Sequence, residues 1–202
     1  MEEVQNYLTG HQDALLISMV SVKIENIVAS ARVSAPLDLG KLEENLIGSN
    51  YNPEQFEGLL YKLLKPKAAF LILKNGKAVC TGLKAMEDVK SAYSNLIKLM
   101  SNEGIEVKDQ EDMNIEIKGI VASTDLAQKI DLETVINILE DDAEFDAEAF
   151  PGVIYHLSEP RSTALIFKEG KVIFTGPKSM DDLKTAVDVV LTRLEEGKAI
   201  VV

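Results

Sequence analysis

The chain has 202 residues, of which 46% are hydrophobic and 27% are charged, and its net charge is -12. This composition is typical of a folded protein rather than a disordered one, and the acidic balance argues against loose, nonspecific attraction to polyanions. The single cysteine, Cys80, excludes an intramolecular disulfide and a cysteine-based zinc site, which suits a reducing compartment.

The first residues, 1–21, are predicted to be an N-terminal extension. The segment MEEVQNYLTG has no positively charged region before an apolar stretch, so we predict no secretory signal. The apolar run ALLISMVSV is far shorter than the roughly 20 residues that a membrane-spanning helix needs. We therefore expect an intracellular, cytoplasmic protein that has no membrane partner.

The rest of the chain is an internal repeat. Residues 24–39, IENIVASARVSAPLDL, align with residues 117–132, IKGIVASTDLAQKIDL, at an offset of 93. Residues 56–90 align with 150–184 at an offset of 94, and 16 of these 35 positions are identical. Two copies of this length are not a solenoid, so they predict two similar half-domains, 22–113 and 114–202, related by a pseudo-twofold axis.

The middle of each repeat is predicted to be a β-hairpin. In the second repeat, STALIF and KVIFTG are rich in β-branched and aromatic residues and flank a loop that contains Gly170. A loop centred on Gly170 predicts Phe167 opposite Ile173 and Leu165 opposite Thr175. One face then carries Thr163, Leu165, Phe167, Ile173 and Thr175, and the other carries Ala164, Ile166, Val172 and Phe174. Both faces are apolar.

Each repeat is predicted to end in a long amphipathic helix. Apolar residues recur at helical spacing at Val89, Ala92, Tyr93, Leu96, Ile97 and Met100, and again at Leu183, Ala186, Val187, Val190, Leu191 and Leu194. Ser179, with Asp182 three residues later, resembles a capping box at the start of the second helix. A shorter helical segment, LGKLEENL or LETVINIL, precedes each hairpin.

One face of each hairpin can be buried under its long helix, but the other face requires a second cover. Strands that are apolar on both faces are usually buried in protein. Each repeat has too few helices for a second layer, however, and an exposed apolar sheet face normally marks a binding surface. The pattern alone leaves both interpretations open.

The paired motifs IENIVAS…YNPEQFEGLLYKLLKPK…NGKAVCTG and IKGIVAS…FPGVIYHLSEPRSTALIFKEGKVIFTG closely resemble the two repeats of the TATA-box-binding protein family, particularly its archaeal members. The resemblance runs from about Val22 to Leu194. It implies an α+β fold in which two pseudo-symmetric repeats form a saddle. A curved antiparallel β-sheet of about ten strands would carry helices on its convex face and cover the minor groove of DNA with its other face. It also implies a general transcription factor that uses no cofactor, recognises and bends A·T-rich TATA-box promoter DNA, and nucleates assembly of the pre-initiation complex.

The resemblance implies DNA contacts residue by residue. The apolar and hydroxyl side chains of the sheet face fall on Val28, Leu71, Val79 and Thr81 in the first repeat and on Val121, Leu165, Ile173 and Thr175 in the second. The wedge phenylalanines fall on Phe56, Phe150 and Phe167. Phosphate-contacting positions fall on Lys62 and His156, and Lys77 and Lys171 keep their places beside the hairpin glycines.

Several positions depart from the family pattern. Leu73 stands at the fourth wedge position, and nearby Phe70 has the opposite parity, so we expect Phe70 to face the helices. The paired central asparagines of the family appear as Asn26 and Gly119. Lys62 and His156 replace arginines. Together these departures predict weaker or less symmetric DNA binding.

The segment EDDAEFDAEAF, residues 140–150, is the densest acidic run and leads into the second wedge loop. By itself a charge run indicates a solvated loop. In the family this loop receives a transcription factor B-type partner, so the resemblance makes Glu144, Asp146 and Glu148 the expected contacts. RNA polymerase machinery would be engaged indirectly.

An enzyme is not expected. His11, His156 and Cys80 form no nucleophile or metal constellation by spacing, and there is no phosphate-binding glycine loop. The alternative function is a repeat protein whose apolar sheet face binds a protein partner or itself, and a free form could form a homodimer through the DNA-binding face. If the DNA-binding interpretation holds, we expect the protein to be associated with the nucleoid.

Overall fold

A computed structural model describes residues 5–6, 20–108 and 113–201. These residues form two compact units. The first unit is Asn26–Lys118, and the second combines Gly119–Val202 with the described residues before Asn26. Most of the predicted N-terminal extension, including His11, lies outside the described residues.

The helices and strands follow one another along the chain in two similar series. The first series is β1 (Gln5–Asn6), β2 (Ser21–Arg32), α1 (Leu39–Asn45), β3 (Ser49–Tyr51), β4 (Gly58–Leu63), β5 (Ala68–Leu73), β6 (Lys77–Leu83) and α2 (Met86–Asn102). The second series is β7 (Glu116–Asp125), β8 (Lys129–Ile130), α3 (Leu132–Leu139), a 3-10 turn (Glu140–Asp142), β9 (Ala143–Glu144), β10 (Gly152–Leu157), β11 (Ser162–Phe167), β12 (Lys171–Thr175), α4 (Met180–Glu196) and β13 (Ile200–Val201).

In the first unit, five antiparallel strands form a sheet in the order β3-β4-β5-β6-β2, and α2 packs on one face of it. The predicted apolar stripe of α2 is buried, from Val89 to Met100. The Tyr93 hydroxyl lies 3.0 Å from the Ala29 carbonyl oxygen and 2.9 Å from that of Ala78, so it joins the helix to β2 and β6. The Phe70 ring meets the Tyr93 ring edge-on at 5.2 Å, which confirms that Phe70 faces the helices.

The second unit repeats this arrangement. Its five antiparallel strands run in the order β9-β10-β11-β12-β7, and α4 buries the six predicted residues from Leu183 to Leu194. The Ser179 hydroxyl caps α4 by accepting from the Asp182 N–H at 3.0 Å. The Asp182 carboxylate accepts in turn from the Lys178 N–H at 3.3 Å, one residue earlier than an ideal capping box would place this bond.

Three short strands lie outside these two five-strand orders. Strand β13 pairs with β8, and β1 pairs with the beginning of β2. The Thr124 hydroxyl donates to the Ser21 carbonyl at 2.9 Å, and the Ser123 hydroxyl donates to the Glu25 carboxylate at 2.9 Å. The beginning of β2 therefore belongs with the second unit.

The predicted hairpin register of the second repeat is wrong by two residues. Leu165 lies opposite Ile173, and Thr163 lies opposite Thr175. The turn closes when the Gly170 N–H donates to the Phe167 carbonyl at 3.0 Å, so Gly170 ends the turn instead of standing at its centre. Because the error is an even number of residues, the predicted faces are unchanged.

The observed architecture confirms the predicted α+β class. Two sets of five antiparallel strands account for about ten strands, and the long helices cover one face of the sheet in each unit. Within the described part of the chain, no helix has both the length and the apolar character that crossing a membrane requires.

Candidate nucleic-acid interface

The first sheet keeps one face partly exposed, and we call it the first open face. On β5, Ala68, Phe70 and Ile72 are buried, whereas the alternating residues remain accessible. The same alternation along β4, β6 and β2 defines the first open face as Asn26, Val28, Leu60, Lys62, Ala69, Leu71, Leu73, Lys77, Val79 and Thr81. All the sequence-predicted sheet contacts of the first repeat lie on this face.

The second open face has the same construction. It consists of Gly119, Val121, Ser123, Ile154, His156, Thr163, Leu165, Phe167, Lys171, Ile173 and Thr175. A row of aliphatic side chains crosses it, with Ile154 opposite Leu165 and Leu165 opposite Ile173. The equivalent row on the first open face is Leu60, Leu71 and Val79. Each row is a continuous apolar strip across three strands.

The predicted wedges Phe56 and Phe150 follow similar turns. Before Phe56, the Asn52 carbonyl accepts from the Phe56 N–H at 2.9 Å, and the Asn52 side chain accepts from the Glu54 N–H at 3.2 Å. Before Phe150, the Asp146 carbonyl accepts from the Phe150 N–H at 2.8 Å. An Asx side chain that bonds the backbone two residues later organises a turn, so these residues set where each ring lies.

A glycine lies across from each remaining wedge position, Gly58 opposite Leu73 and Gly152 opposite Phe167. A Cβ at position 152 would lie 3.2 Å from an atom of Phe150 and 3.2 Å from an atom of Phe167. The two rings lie 5.5 Å apart between centroids, with planes tilted by 59°. The glycine therefore gives the paired rings the space they occupy. Phe56 is 47% exposed, as expected of a side chain available to a ligand.

The two central positions, which the family occupies with asparagines, carry different residues here, Asn26 and Gly119. Asn26 donates to the Thr81 hydroxyl at 3.0 Å and accepts from the Gly82 N–H at 2.7 Å, so its amide is held in place on the first open face. Gly119 offers no side chain there. A Cβ at this position would meet only the Gly176 Cα, at an ordinary 4.0 Å, so lack of space does not explain the glycine.

The predicted phosphate-contacting residues are all accessible, and His156 contacts an acidic side chain. His156 Nε2 lies 3.2 Å from Glu144 Oε1, and His156 Nδ1 lies 3.4 Å from the Thr163 hydroxyl. Lys62 and Lys171 are exposed. The contact links a predicted DNA-binding residue to a predicted partner-binding residue, which sequence reasoning did not anticipate.

The three acidic residues of the predicted partner site have different structural roles. Glu144 is on β9 and contacts His156, whereas Asp146 accepts from the backbone N–H groups of Glu148 and Ala149 at 3.0 and 3.4 Å. Glu148 is exposed, and its N–H is held by Asp146. Of the three, Glu148 is the one whose carboxylate can be changed without removing a hydrogen bond that shapes the loop.

Sequence reasoning missed several members of the open faces. Leu60, which is 50% exposed, and Ile154 share a face with Lys62 and His156 by simple alternation along their strands. The alternation of side chains along each strand, with a period of two residues, was therefore enough to place Leu60 and Ile154 on the open faces. Within the described residues, no group of His, Cys, Asp and Glu side chains is arranged to hold a metal ion.

Comparisons with known proteins agree with this geometry. The sequence profile of the family described as "Transcription factor TFIID (or TATA-binding protein, TBP)" matches twice, at residues 21–102 and 114–197. The TATA-box-binding protein of Pyrobaculum neutrophilum is 44% identical over 187 residues, covering 89% of this chain and 93% of that protein. The TATA-box-binding protein of Methanobrevibacter smithii is 44% identical over 177 residues, covering 88% and 96%. The solved structure of Methanococcus jannaschii TBP superposes with a TM-score of 0.78 at 38% identity, covering 87% of this chain and 98% of that one.

The fold and the paired apolar faces define a two-repeat DNA-binding protein of transcription initiation. The chain belongs to the TATA-binding protein family. This is a family of transcription factors and not of enzymes.

Proposed function

We propose that the two open faces bind the minor groove of A·T-rich promoter DNA and bend it, and that the bent complex nucleates transcription pre-initiation. The observation that carries the proposal is the pair of matched apolar rows, Leu60–Leu71–Val79 and Ile154–Leu165–Ile173. Each row belongs to one of the repeats, 22–113 and 114–202, that we propose as the functional halves. Such exposed apolar strips indicate a binding surface.

The chemistry of the minor groove suits these side chains. A·T pairs present only acceptors there, whereas a G·C pair adds the amino group of guanine. Aliphatic side chains such as Leu71 and Ile173 cannot accept a hydrogen bond from that amino group, so burying it against them leaves a donor unpaired. The faces should therefore reject G·C pairs. The hydroxyls of Thr81 and Thr175 and the amide of Asn26 supply the polar contacts.

The accessible rings provide the bending. An apolar wedge inserted between base pairs unstacks them at a cost of about a few kcal/mol, and the bent duplex then contacts more of the protein. Phe150 and Phe167 form a pair of adjacent rings, whereas Phe56 is accompanied by Leu73. Kinking would be stronger at the end of the box that contacts the second repeat.

The test is affinity and bending on matched duplexes, measured by gel shift and by fluorescence energy transfer between labelled DNA ends. We expect preference for an A·T-rich over a G·C-rich duplex, with bending only of the former. Val79→Glu on the first open face should abolish both. Ser91→Glu, which adds the same charge to an exposed position of α2, should leave both intact. Equal affinity for the two duplexes would refute the proposal.

The same faces could instead be covered by a second copy of the chain, because their apolar side chains are exposed. Sedimentation velocity with and without A·T-rich duplex distinguishes the two interpretations. If DNA is the ligand, any dimer should dissociate as the duplex is added. A dimer that persists at saturating duplex would favour the protein-binding alternative.

We also propose that the acidic loop around Glu144, Asp146 and Glu148 receives a basic transcription factor B-type partner, and that the protein works inside the cell on the nucleoid. Charge complementarity would steer such a partner toward the loop. Glu148→Lys should weaken recruitment of the partner to the DNA complex, while binary DNA binding stays the same. Glu103→Lys, at an exposed site after α2, is the matched control. Normal recruitment by the Glu148 variant would mean that the loop is only solvated surface.

A further inference from the structure

The cations beside the open faces have opposite surroundings in the two units. On the first sheet, Arg32 lies opposite Lys77 in the β2–β6 ladder. At the equivalent place on the second sheet, Asp125 lies opposite Lys171 in the β7–β12 ladder. The lysine is common to both repeats, but its neighbour across the ladder is a cation in one and a carboxylate in the other.

Lys108 adds a third cation beside Arg32 and Lys77. Its N–H donates to the Val33 carbonyl at 2.8 Å, which ties this segment to the end of β2. A cleft of about 290 Å³ is lined by Ser30, Ala31, Arg32, Lys77, Lys108, Asn114 and Glu116. We call it the first-unit cleft.

The charges of the first-unit cleft are mostly uncompensated. The Arg32 guanidinium donates to the Asn75 carbonyl, a neutral group that fixes its position. Glu116 is already ion-paired with Lys118. In the part of the chain that the structure describes, no carboxylate forms an ion pair with Arg32, Lys77 or Lys108. Three cations thus surround one concavity in a chain whose net charge is -12.

The outer strands, β3 and β4 in the first unit and β9 and β10 in the second, show the same difference in charge between the units. In the second unit, Glu144 lies 3.2 Å from His156. The equivalent residues of the first unit are Asn50, which is neutral, and Lys62. On the inner strand, Ser123 of the second open face bonds Glu25, whereas its equivalent Ser30 lines the first-unit cleft.

Other cations do not offset this difference. A second concavity is lined by His156, Arg161, Lys178 and Asp182, among others. The first repeat has Lys67, Lys84 and Asp88 at the positions equivalent to the last three, with the same charges. The net asymmetry therefore comes from Arg32 against Asp125, from Asn50 against Glu144, from Lys62 against His156, and from Lys108.

We propose that the first unit holds the DNA backbone, binding phosphodiester groups through the first-unit cleft and Lys62, while the second unit contributes wedges with little net attraction for phosphate. Arg32 and Lys108 are thereby assigned as phosphate-binding residues. Asp125 and Glu144 reduce the attraction at Lys171 and His156. This division of labour rests on the proposed DNA-binding function and deepens it.

The salt dependence of affinity measures this division, because each neutralised phosphate contributes about -0.9 to the slope of log affinity against log salt. Slopes would be measured on one A·T-rich duplex for wild type, Arg32→Gln, Lys77→Gln, Lys108→Gln and the matched variant Lys171→Gln. We expect each change in the cleft to make the slope shallower by about one, and Lys171→Gln to change it by less than half as much. Asp125→Asn keeps the oxygen that accepts from the Ala127 N–H, and it should steepen the slope because Lys171 is then unopposed.

Arg32→Lys, which keeps the charge, should retain the wild-type slope and so separates charge from any folding defect. Equal changes for Lys77→Gln and Lys171→Gln, or no change for Arg32→Gln and Lys108→Gln, would overturn the inference. A wild type that binds duplexes with no A·T preference would refute the proposed recognition, yet its slopes would still test the cleft. A wild type that binds no duplex would overturn both.

Discussion

Leu73 and Phe167, two of the proposed wedges, occupy equivalent positions, each opposite a glycine, and we expect them to differ in how well they part stacked bases. A flat ring enters a base step more easily than a branched aliphatic side chain. A Cβ on Gly58 or on Gly152 would lie 3.2 Å from the wedge side chain opposite, so each glycine leaves room for that side chain. The repeats differ in the wedge residue itself and in the Phe150 ring that packs beside Phe167.

Leu73→Phe should lengthen the lifetime of the bent binary complex and reduce its dependence on a stabilising partner. Smooth bending of a site this size costs about 1–6 kcal/mol, so a better wedge that recovers about 1 kcal/mol would lengthen the lifetime about fivefold. Single-molecule measurements of the bent state on one duplex give this lifetime for the wild type and the variant. The reciprocal change, Phe167→Leu, should shorten the lifetime, and equal lifetimes in all three proteins would show that leucine wedges as well as the ring.

Individual residues also show which features of the fold and of the candidate site could be predicted from the sequence and which could not. Which residues face the helices followed from alternation, as Phe70 shows, because burial on one side of a strand imposes period two. The sequence could not show whether Asp146 serves to form a turn or to present a negative charge, because an aspartate within an acidic run is compatible with either role. The contact of His156 with Glu144 joins residues on neighbouring strands, and no spacing rule along one strand predicts it.

At the scale of elements, the hairpin of β11 and β12 shows why the face of each side chain could be predicted from the sequence, whereas the pairing of residues across the two strands could not. A shift of two residues keeps every side chain on its face, so the hydrophobic pattern cannot detect it. The register depends on where the turn closes. Gly170 has φ of 99° and lies close to the Gln128 carbonyl, which a Cβ would approach to 2.2 Å, so packing against a distant segment requires a glycine at the end of the turn.

The turns before the two wedges make a second element-scale prediction. Asp146→Ala removes the acceptor of the Glu148 N–H and should cost about 1 kcal/mol of turn stability, which loosens Phe150 and weakens bending. Asp146→Asn should bend DNA normally, since the first repeat uses Asn52 for the same bond. Fluorescence energy transfer across the duplex measures the bend. Normal bending by the alanine variant would show that the turn does not depend on this side chain.

At the scale of the whole molecule, Cys80 reports on the integrity of the first unit. The thiol is fully buried under α2, and burial raises the pKa of Cys80 to about 12. The thiolate is the form that attacks thiol reagents, so the folded protein should react negligibly at pH 8. We expect the labelling rate to rise by orders of magnitude across the urea unfolding transition of the first unit. Fast labelling without denaturant would mean that this unit opens readily.

The same pKa gives the direction of one pH effect. Between the ordinary thiol value of 9.0 and about 12, the unfolded chain loses the Cys80 proton while the folded chain retains it. Folding stability should therefore fall as pH rises through this range, by linkage. Urea midpoints at pH 8 and pH 10.5, compared between wild type and Cys80→Ala, isolate the contribution. An equal fall in both proteins would assign the effect to other groups.

The start of β2 has a consequence for how the protein is made. The hydrogen bonds of Ser21 and Glu25 to Thr124 and Ser123 complete the second unit with residues that precede the entire first unit. The first unit is thus a continuous stretch inserted within a discontinuous one. During synthesis, Asn26–Lys118 can fold as soon as it leaves the ribosome, whereas the leading segment must wait for Ser123 and Thr124 to emerge after the first unit. A nascent chain stalled when Lys118 has just emerged from the ribosome should already contain a protease-resistant first unit, with its leading residues still open to cleavage.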